Sequence, residues 1–271
     1  MRVGGDRVPD VRLAAMTATA TTTMESLALT NYGHFTTMLV EDGRVRGLGL
    51  HLDRLTADCA ALFGARLSPD RVRAEIAAAV AGTPGPVTVR VTVVDPALPL
   101  ARPAAAGTPQ LLVTTRPAGP HDPPPVRVRT VRYERDVPQV KHTGLFGPLH
   151  QRRRAQQDGY DDALFLDADG LVSEGVTWNI GFFDGDTVIW PLADALPGVT
   201  MRLIERAYDG PQRREPVGIS QLPAMAAAFT TNAAVGIRAV AAVDTVGFDP
   251  GHPVLDALRR RYAQVAPEPL V

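Results

Sequence analysis

Lysine is almost missing from this sequence. The 271 residues hold 28 lysines and arginines, and Lys141 alone is a lysine. A GC-rich coding bias explains arginine wherever only positive charge is needed. The two side chains part where a primary amine must lose its proton and attack a carbonyl, which arginine, protonated to about pH 12, cannot do. Lys141 is therefore a candidate nucleophile, with a plain surface charge as the alternative. Cysteine is equally scarce. The single Cys59 excludes an intrachain disulfide and a cysteine-built zinc site, and it fits a reducing cytoplasm. No apolar run approaches the roughly 20 residues of a membrane span. A net charge of −1 gives no electrostatic ground for nucleic acid or an anionic membrane as partner. The six histidines, at 34, 51, 121, 142, 150 and 252, show no paired ligand spacing, so no metal is expected. Walker loop, GxGxxG and nucleophile-elbow patterns are absent.

What is present reads as a globular chain, 45% apolar, long enough for one large domain or two modest ones. Residues 1–23, ending in "TATATTT", read as a flexible tail, with Met24 an alternative start and no signal-peptide pattern. "HFTTMLVEDGRVRGLGLHL" predicts two short strands around Asp42-Gly43. The next stretch places Leu52, Leu55, Cys59 and Leu62 on one helical face, up to Gly64. "SPDRVRAEIAAAVAG" is a second helix, capped by Ser68 with Pro69 in its first turn. "VTVRVTVV" and "QLLVTT" are strands. The proline-rich residues 117–125 read as a linker between a small α/β domain (24–116) and a larger, mostly β domain with flanking helices (126–271). The larger part predicts a strand, a helix ending at Gly159, hairpins turning at 167–170 and at Asp184-Gly185, a helix opening at Pro197-Gly198, a strand and loop over "AAFTTNAAV", and a terminal helix.

Several pieces carry chemistry. Glu174 lies thirty-three positions after Lys141. An amine that captures an aldehyde cofactor such as pyridoxal phosphate needs a carboxylate opposite it, at the ring nitrogen. The same cofactor needs a phosphate cup, and "PGVTMR" offers one at a helix N-terminus: Gly198 for close approach, then Val199 and Thr200. "TTNA" (230–233), with Thr231 and Asn232, is a second small polar loop. Arg54 lies on a helix whose apolar face is opposite, which suits either a solvated charge or a phosphate ligand.

In order along residues 31–245 these pieces resemble the class IV, or fold-type IV, pyridoxal-phosphate enzymes, the superfamily of branched-chain and D-amino acid aminotransferases and aminodeoxychorismate lyase. "YGHFTTMLVEDGRV…HLDRL", "VKHTG…VSEGVTWNIGFF", "LPGVTMRLI" and "FTTNAAVGIRAV" carry the likeness. It implies a two-domain α/β fold with pyridoxal phosphate between the domains, and a homodimer. It implies Lys141 as Schiff-base lysine and proton shuttle and Glu174 at the pyridine nitrogen. Arg54, Gly198, Val199, Thr200, Thr231 and Asn232 would hold the phosphate. Phe35, His34 and His142 would line the substrate pocket. Two features depart from the family. Where its aminotransferases carry a substrate-binding arginine after a strand, this chain has Val94-Asp95, and "KHTGLF" lacks the tyrosine found after the lysine in branched-chain members. The function implied is transfer of an amino group between a small amino acid and a 2-keto acid. A lyase releasing pyruvate is the alternative, and a degenerate homologue with a binding or structural role the third.

Overall fold

Extended runs early in the chain, among them the alternating VTVRVTVV, build most of a five-stranded sheet. The computed structural model describes residues 18–271 apart from Ala106 and His121. α1 (Ala18–Thr30) leads into β1 (Gly33–Glu41), β2 (Arg44–Arg46), α2 (Leu48–Phe63), α3 (Pro69–Val80), β3 (Val87–Val94) and β4 (Gln110–Pro117). β3 lies antiparallel between β1 and β4. One face of the sheet sends Met38, Val89, Val91 and Val93 into a core shared with Leu52, Leu55, Cys59 and Ile76 of the two helices. Because side chains alternate along a strand, Phe35, Thr37 and Arg90 project from the other face, where Thr37 and Arg90 are directly paired. α3 begins as its sequence dictates: Ser68 Oγ accepts the Arg71 N–H and Pro69 occupies the first turn.

The second sheet follows the proline-rich segment. Its elements are β5 (Val126–Arg132), α4 (Phe146–Gln157), β6 (Asp162–Leu166), β7 (Val172–Gly175), β8 (Asn179–Phe183), β9 (Val188–Pro191), α5 (Val199–Ala207), β10 (Gln212–Glu215), β11 (Ala227–Asn232), β12 (Gly236–Val243), β13 (Val246–Gly247) and α6 (Pro253–Gln264), after which the chain forms β14 (Pro267–Pro269). The strand order is β10-β9-β8-β11-β12-β5-β6-β7, with β13 paired to β12. The central strands are buried on both faces. One core gathers around Ile180, Phe182 and Val240, the other around Trp190, Phe229 and Leu255 under α5 and α6. The fold is the mixed α/β arrangement that the sequence predicts.

Two expectations need correction. Residues 18–23, read as part of a flexible tail, lie in α1; residues 1–17 of that tail lie outside the described residues. The threonines of this run have low helix propensity. Tertiary contact supplies the rest: α1 packs against β3 and β4, Thr23 is buried, and Asn31, at φ 50°, closes the helix with its N–H on the Leu27 carbonyl. The second correction concerns β14. It leaves the larger part and pairs with β2 in the first sheet, so the chain's end belongs to the smaller part. Pro267 and Pro269 lack N–H donors and disguise the strand, but an edge strand tolerates them. Glu268 between them accepts the Gly49 N–H at the start of α2, and Leu270 enters the core.

The two parts meet where α2 and α5 begin. Gly47, at φ 75°, turns the chain into α2 against the Val199 and Leu203 side chains, and a Cβ there would collide with Leu203. Leu50, Val199 and Leu203 form a small apolar cluster across this junction. It sets the N-terminal turns of both helices beside one cavity.

Candidate active site

Lys141 enters the structure between the two sheets. Its carbonyl accepts the Phe35 N–H at 2.9 Å, and its own N–H donates to Asp58 Oδ2 at 3.1 Å. Two residues on, the Thr143 N–H donates to the Gly33 carbonyl at 2.8 Å. The segment thus fastens to the half of β1 that β2 leaves unpaired. The amine lies 4.9 Å from the centre of the Phe35 ring and lines a cavity of about 370 Å³.

Phe35, Arg54, Lys141, His142, Glu174, Gly198, Val199, Thr200, Thr231 and Asn232 all line this cavity. His34 does not. Strand alternation turns it to the other face of β1, where it is fully buried beside Phe63. Glu174, on β7, is buried and paired with Arg135, Nη1 to Oε1 at 3.1 Å. Burial raises its carboxyl above the ordinary range, while Arg135 and the Leu196 N–H oppose the rise. Arg135 also donates to the Val140 carbonyl at 2.8 Å, so one guanidinium ties the carboxylate to the residue before the lysine.

Burial lowers the Lys141 ammonium to about 7, with Arg54, Arg135 and Arg90 adding to the effect and Glu174 opposing it. The amine is therefore largely neutral just above neutral pH, the form that attacks a carbonyl.

α2 shows two buried faces rather than the one apolar face expected. Leu52, Leu55 and Cys59 face the core, while His51, Arg54 and Asp58 form a polar stripe towards the second sheet. Arg54 Nη2 donates to Thr36 Oγ1 at 2.5 Å, and the same hydroxyl lies 2.7 Å from His51 Nδ1. Burial pushes Arg54 down to about 10 and His51 well below the usual imidazole range, so His51 is neutral. His142 is held low by burial as well. Its Nδ1 accepts the Gly144 N–H at 3.1 Å, which leaves Nε2 as the protonated nitrogen.

One end of the cavity holds buried polar atoms that lack partners among the described residues: Arg54 Nε, His51 Nε2, and the Thr200 and Thr231 hydroxyls. The first turn of α5 adds backbone N–H groups with no side-chain cap. Buried donors without acceptors are costly, and a phosphate group would satisfy this set. Gly198 approaches Asn179 so closely that a Cβ would strike the Asn179 amide, which itself donates to the Leu196 carbonyl. Asn232 acts on its own loop: Oδ1 accepts the Ala234 and Val235 N–H groups. The donor set, the amine and the buried carboxylate together fit pyridoxal phosphate.

Sequence reasoning overlooked His51, Arg90, Arg116, Arg135 and Arg152. Arg90 offered a signal, a charge set into an otherwise apolar or threonine strand. It lies over the Phe35 ring at 3.6 Å, and Arg116 of β4 lines the same mouth. A cavity-facing arginine therefore exists in mid-strand, although Val94-Asp95 after the strand holds none. Arg152 is anchored bidentately by Asp162 at 2.7–2.9 Å.

The amino-transferase class IV family model matches residues 33–243. The chain belongs to this family. Its enzymes depend on pyridoxal phosphate. The "Probable branched-chain-amino-acid aminotransferase" of Rickettsia felis is 32% identical over 128 residues, covering 44% of this chain and 44% of that protein. The aligned stretch thus spans less than half of that curated relative. Among solved structures, the branched-chain amino acid aminotransferase of Escherichia coli superposes with a TM-score of 0.80 at 17% identity, over 90% of this chain and 92% of that one. The "Putative 4-amino-4-deoxychorismate lyase" of Legionella pneumophila gives 0.78 at 23% identity, over 89% and 93%. At these identities the family's fold is what the two structures share with this chain.

Proposed function

We propose that the protein is a pyridoxal-phosphate-dependent aminotransferase acting on a small amino acid and 2-keto acid pair, working as a homodimer in the cytoplasm. The carrying observation is the buried, readily deprotonated Lys141 amine, set in one cavity between the Arg135-held Glu174 and a cup of unpartnered phosphate donors. The bound cofactor supplies an aldehyde that captures amines and a ring that accepts electrons from the carbon so attached. Lys141 Nζ would hold the cofactor and, once displaced, carry a proton away from the substrate α-carbon and return it to the carbon on the far side of the amine nitrogen. Glu174 would keep the ring nitrogen protonated. Arg54, Val199, Thr200 and Thr231 would hold the phosphate, with Gly198 giving room and Asn232 shaping the loop. Arg90 and Arg116 make no ion pair among the described residues and face the mouth, where a substrate carboxylate would meet them. His142 adds a lone Nε2–H donor.

The test is borohydride reduction of the purified protein followed by peptide mapping, then addition of single amino acids without acceptor. The cofactor should be fixed to the peptide carrying Lys141 and be absent from Lys141→Ala. One equivalent of keto acid per site should form and then stop. Continuous pyruvate release without acceptor would replace this reading with a lyase. A cofactor-free protein, or one that holds the cofactor without any turnover, would replace it with a binding role.

A further inference from the structure

Asp58 lies outside the cavity, is 4% exposed, and makes no ion pair among the described residues. Its defined contact is with the Lys141 N–H at 3.1 Å. A serine or asparagine could accept that bond without the cost of burying a charge. The charge therefore needs its own explanation, and its surroundings provide one. Arg54 on the same helix, Arg135 on the neighbouring segment and Lys141 itself all act on Asp58. Among the described residues the only acid lining the cavity is Glu174, and it is already matched to Arg135.

We propose that Asp58 is a positioning residue for Lys141: its carboxylate grips the lysine's main chain, so that one rigid helix sets both Arg54 and the amine, and it supplies the negative charge against which the two are balanced. The role attributed to the amine rests on the function proposed above; the grip itself does not. α2 fixes the arrangement through its period, because Arg54 and Asp58 are four residues apart and lie one turn above the other. Without Asp58 the Lys141 N–H would be a buried donor outside any helix or ladder. The neighbouring groups hold the chain but do not replace this bond: Arg135 takes the Val140 carbonyl, Phe35 the Lys141 carbonyl and Gly33 the Thr143 N–H. Burial raises the Asp58 carboxyl, and the Lys141 N–H and the three cations hold it down.

The lone lysine makes this directly measurable. Full-length protein labelled with 15N-lysine shows a single backbone amide signal, that of Lys141, and a single side-chain amine. In wild type the amide should lie downfield and titrate with a carboxyl group. In Asp58→Ala it should move upfield and exchange its proton roughly tenfold faster or more, as loss of one buried hydrogen bond implies. Asp58→Asn should keep the amide bound, no longer show the carboxyl titration, and lower the pH at which the cofactor-stripped amine titrates. In the loaded enzyme, Asp58→Ala should reduce kcat and leave KM within about twofold. If Asp58→Ala fails to fold, Asp58→Asn and Asp58→Ser carry the test. An amide unmoved in shift and exchange would overturn the grip. An amine titrating at the wild-type pH in Asp58→Asn would overturn the charge role. Both readings are made without cofactor, so failure of the proposed function would appear separately, as absent attachment in wild type.

Discussion

A single guanidinium governs the buried carboxylate of this site. Arg135 is the ion-pair partner of Glu174, and the opposite charge holds down a carboxyl that burial raises. Arg135→Gln should therefore raise the Glu174 carboxyl further and move the acid limb of the kcat–pH profile upward. Lys141 works in the opposite sense. Its folded value of about 7 lies below the ordinary 10.5, so between those two pH values the folded chain binds fewer protons than the unfolded one. Stability then rises with pH across that window. Lys141→Met, which keeps the bulk and removes the charge, should stabilise the cofactor-free protein most at pH 7 and below. The gain should fade by pH 10.5, as followed by urea midpoints. At this scale the sequence singles out residue types that the structure gathers in one cavity: the lone lysine, Glu174 and the two threonines. It was silent about Arg135 and Asp58, because nothing in a chain of 27 interchangeable-looking arginines and scattered acids marks the two that fold onto the lysine.

Elements matter here mainly through where their ends fall. Gly198 opens α5 against Asn179, and Gly198→Ala should weaken cofactor binding by about 1–3 kcal/mol, the usual range for an overpacked contact. Adding Asn179→Ala should recover part of that loss, which a double-mutant cycle on cofactor affinity would detect. Helices and hairpins announced themselves through Ser68-Pro69, Gly64, Asp184-Gly185 and the apolar period. α1 and β14 did not. The first depends on contact with the sheet rather than propensity, and the second is spelled with prolines. The polar stripe of α2 was half legible: Arg54 could be singled out, but the depth at which it lies depends on the second sheet arriving over it.

The whole molecule is nearly neutral, yet one cavity collects Arg54, Arg90, Arg116, Arg135, Lys141 and Arg152 against Glu174 alone. Arg135 and Arg152 have acidic partners and Arg54 lies among the unpartnered buried polar atoms, so the surplus lies with Arg90 and Arg116. Substrate KM should rise with ionic strength. Arg116→Gln, at an exposed rim, should raise KM by about two- to fivefold at low salt and flatten that dependence. A likeness in residue order was enough to anticipate the two sheets around a shared site. The charge distribution was not legible, since overall composition hides where charges gather.

The C-terminal strand has a consequence for how the protein is made. β14 supplies an edge of the first sheet, Leu270 lies in its core, and Glu268 holds the start of the helix that carries Arg54. β14 follows every element of the second sheet in chain order, so the first sheet lacks this edge until the residues between have been translated. Its site helix waits, incompletely anchored, through their synthesis.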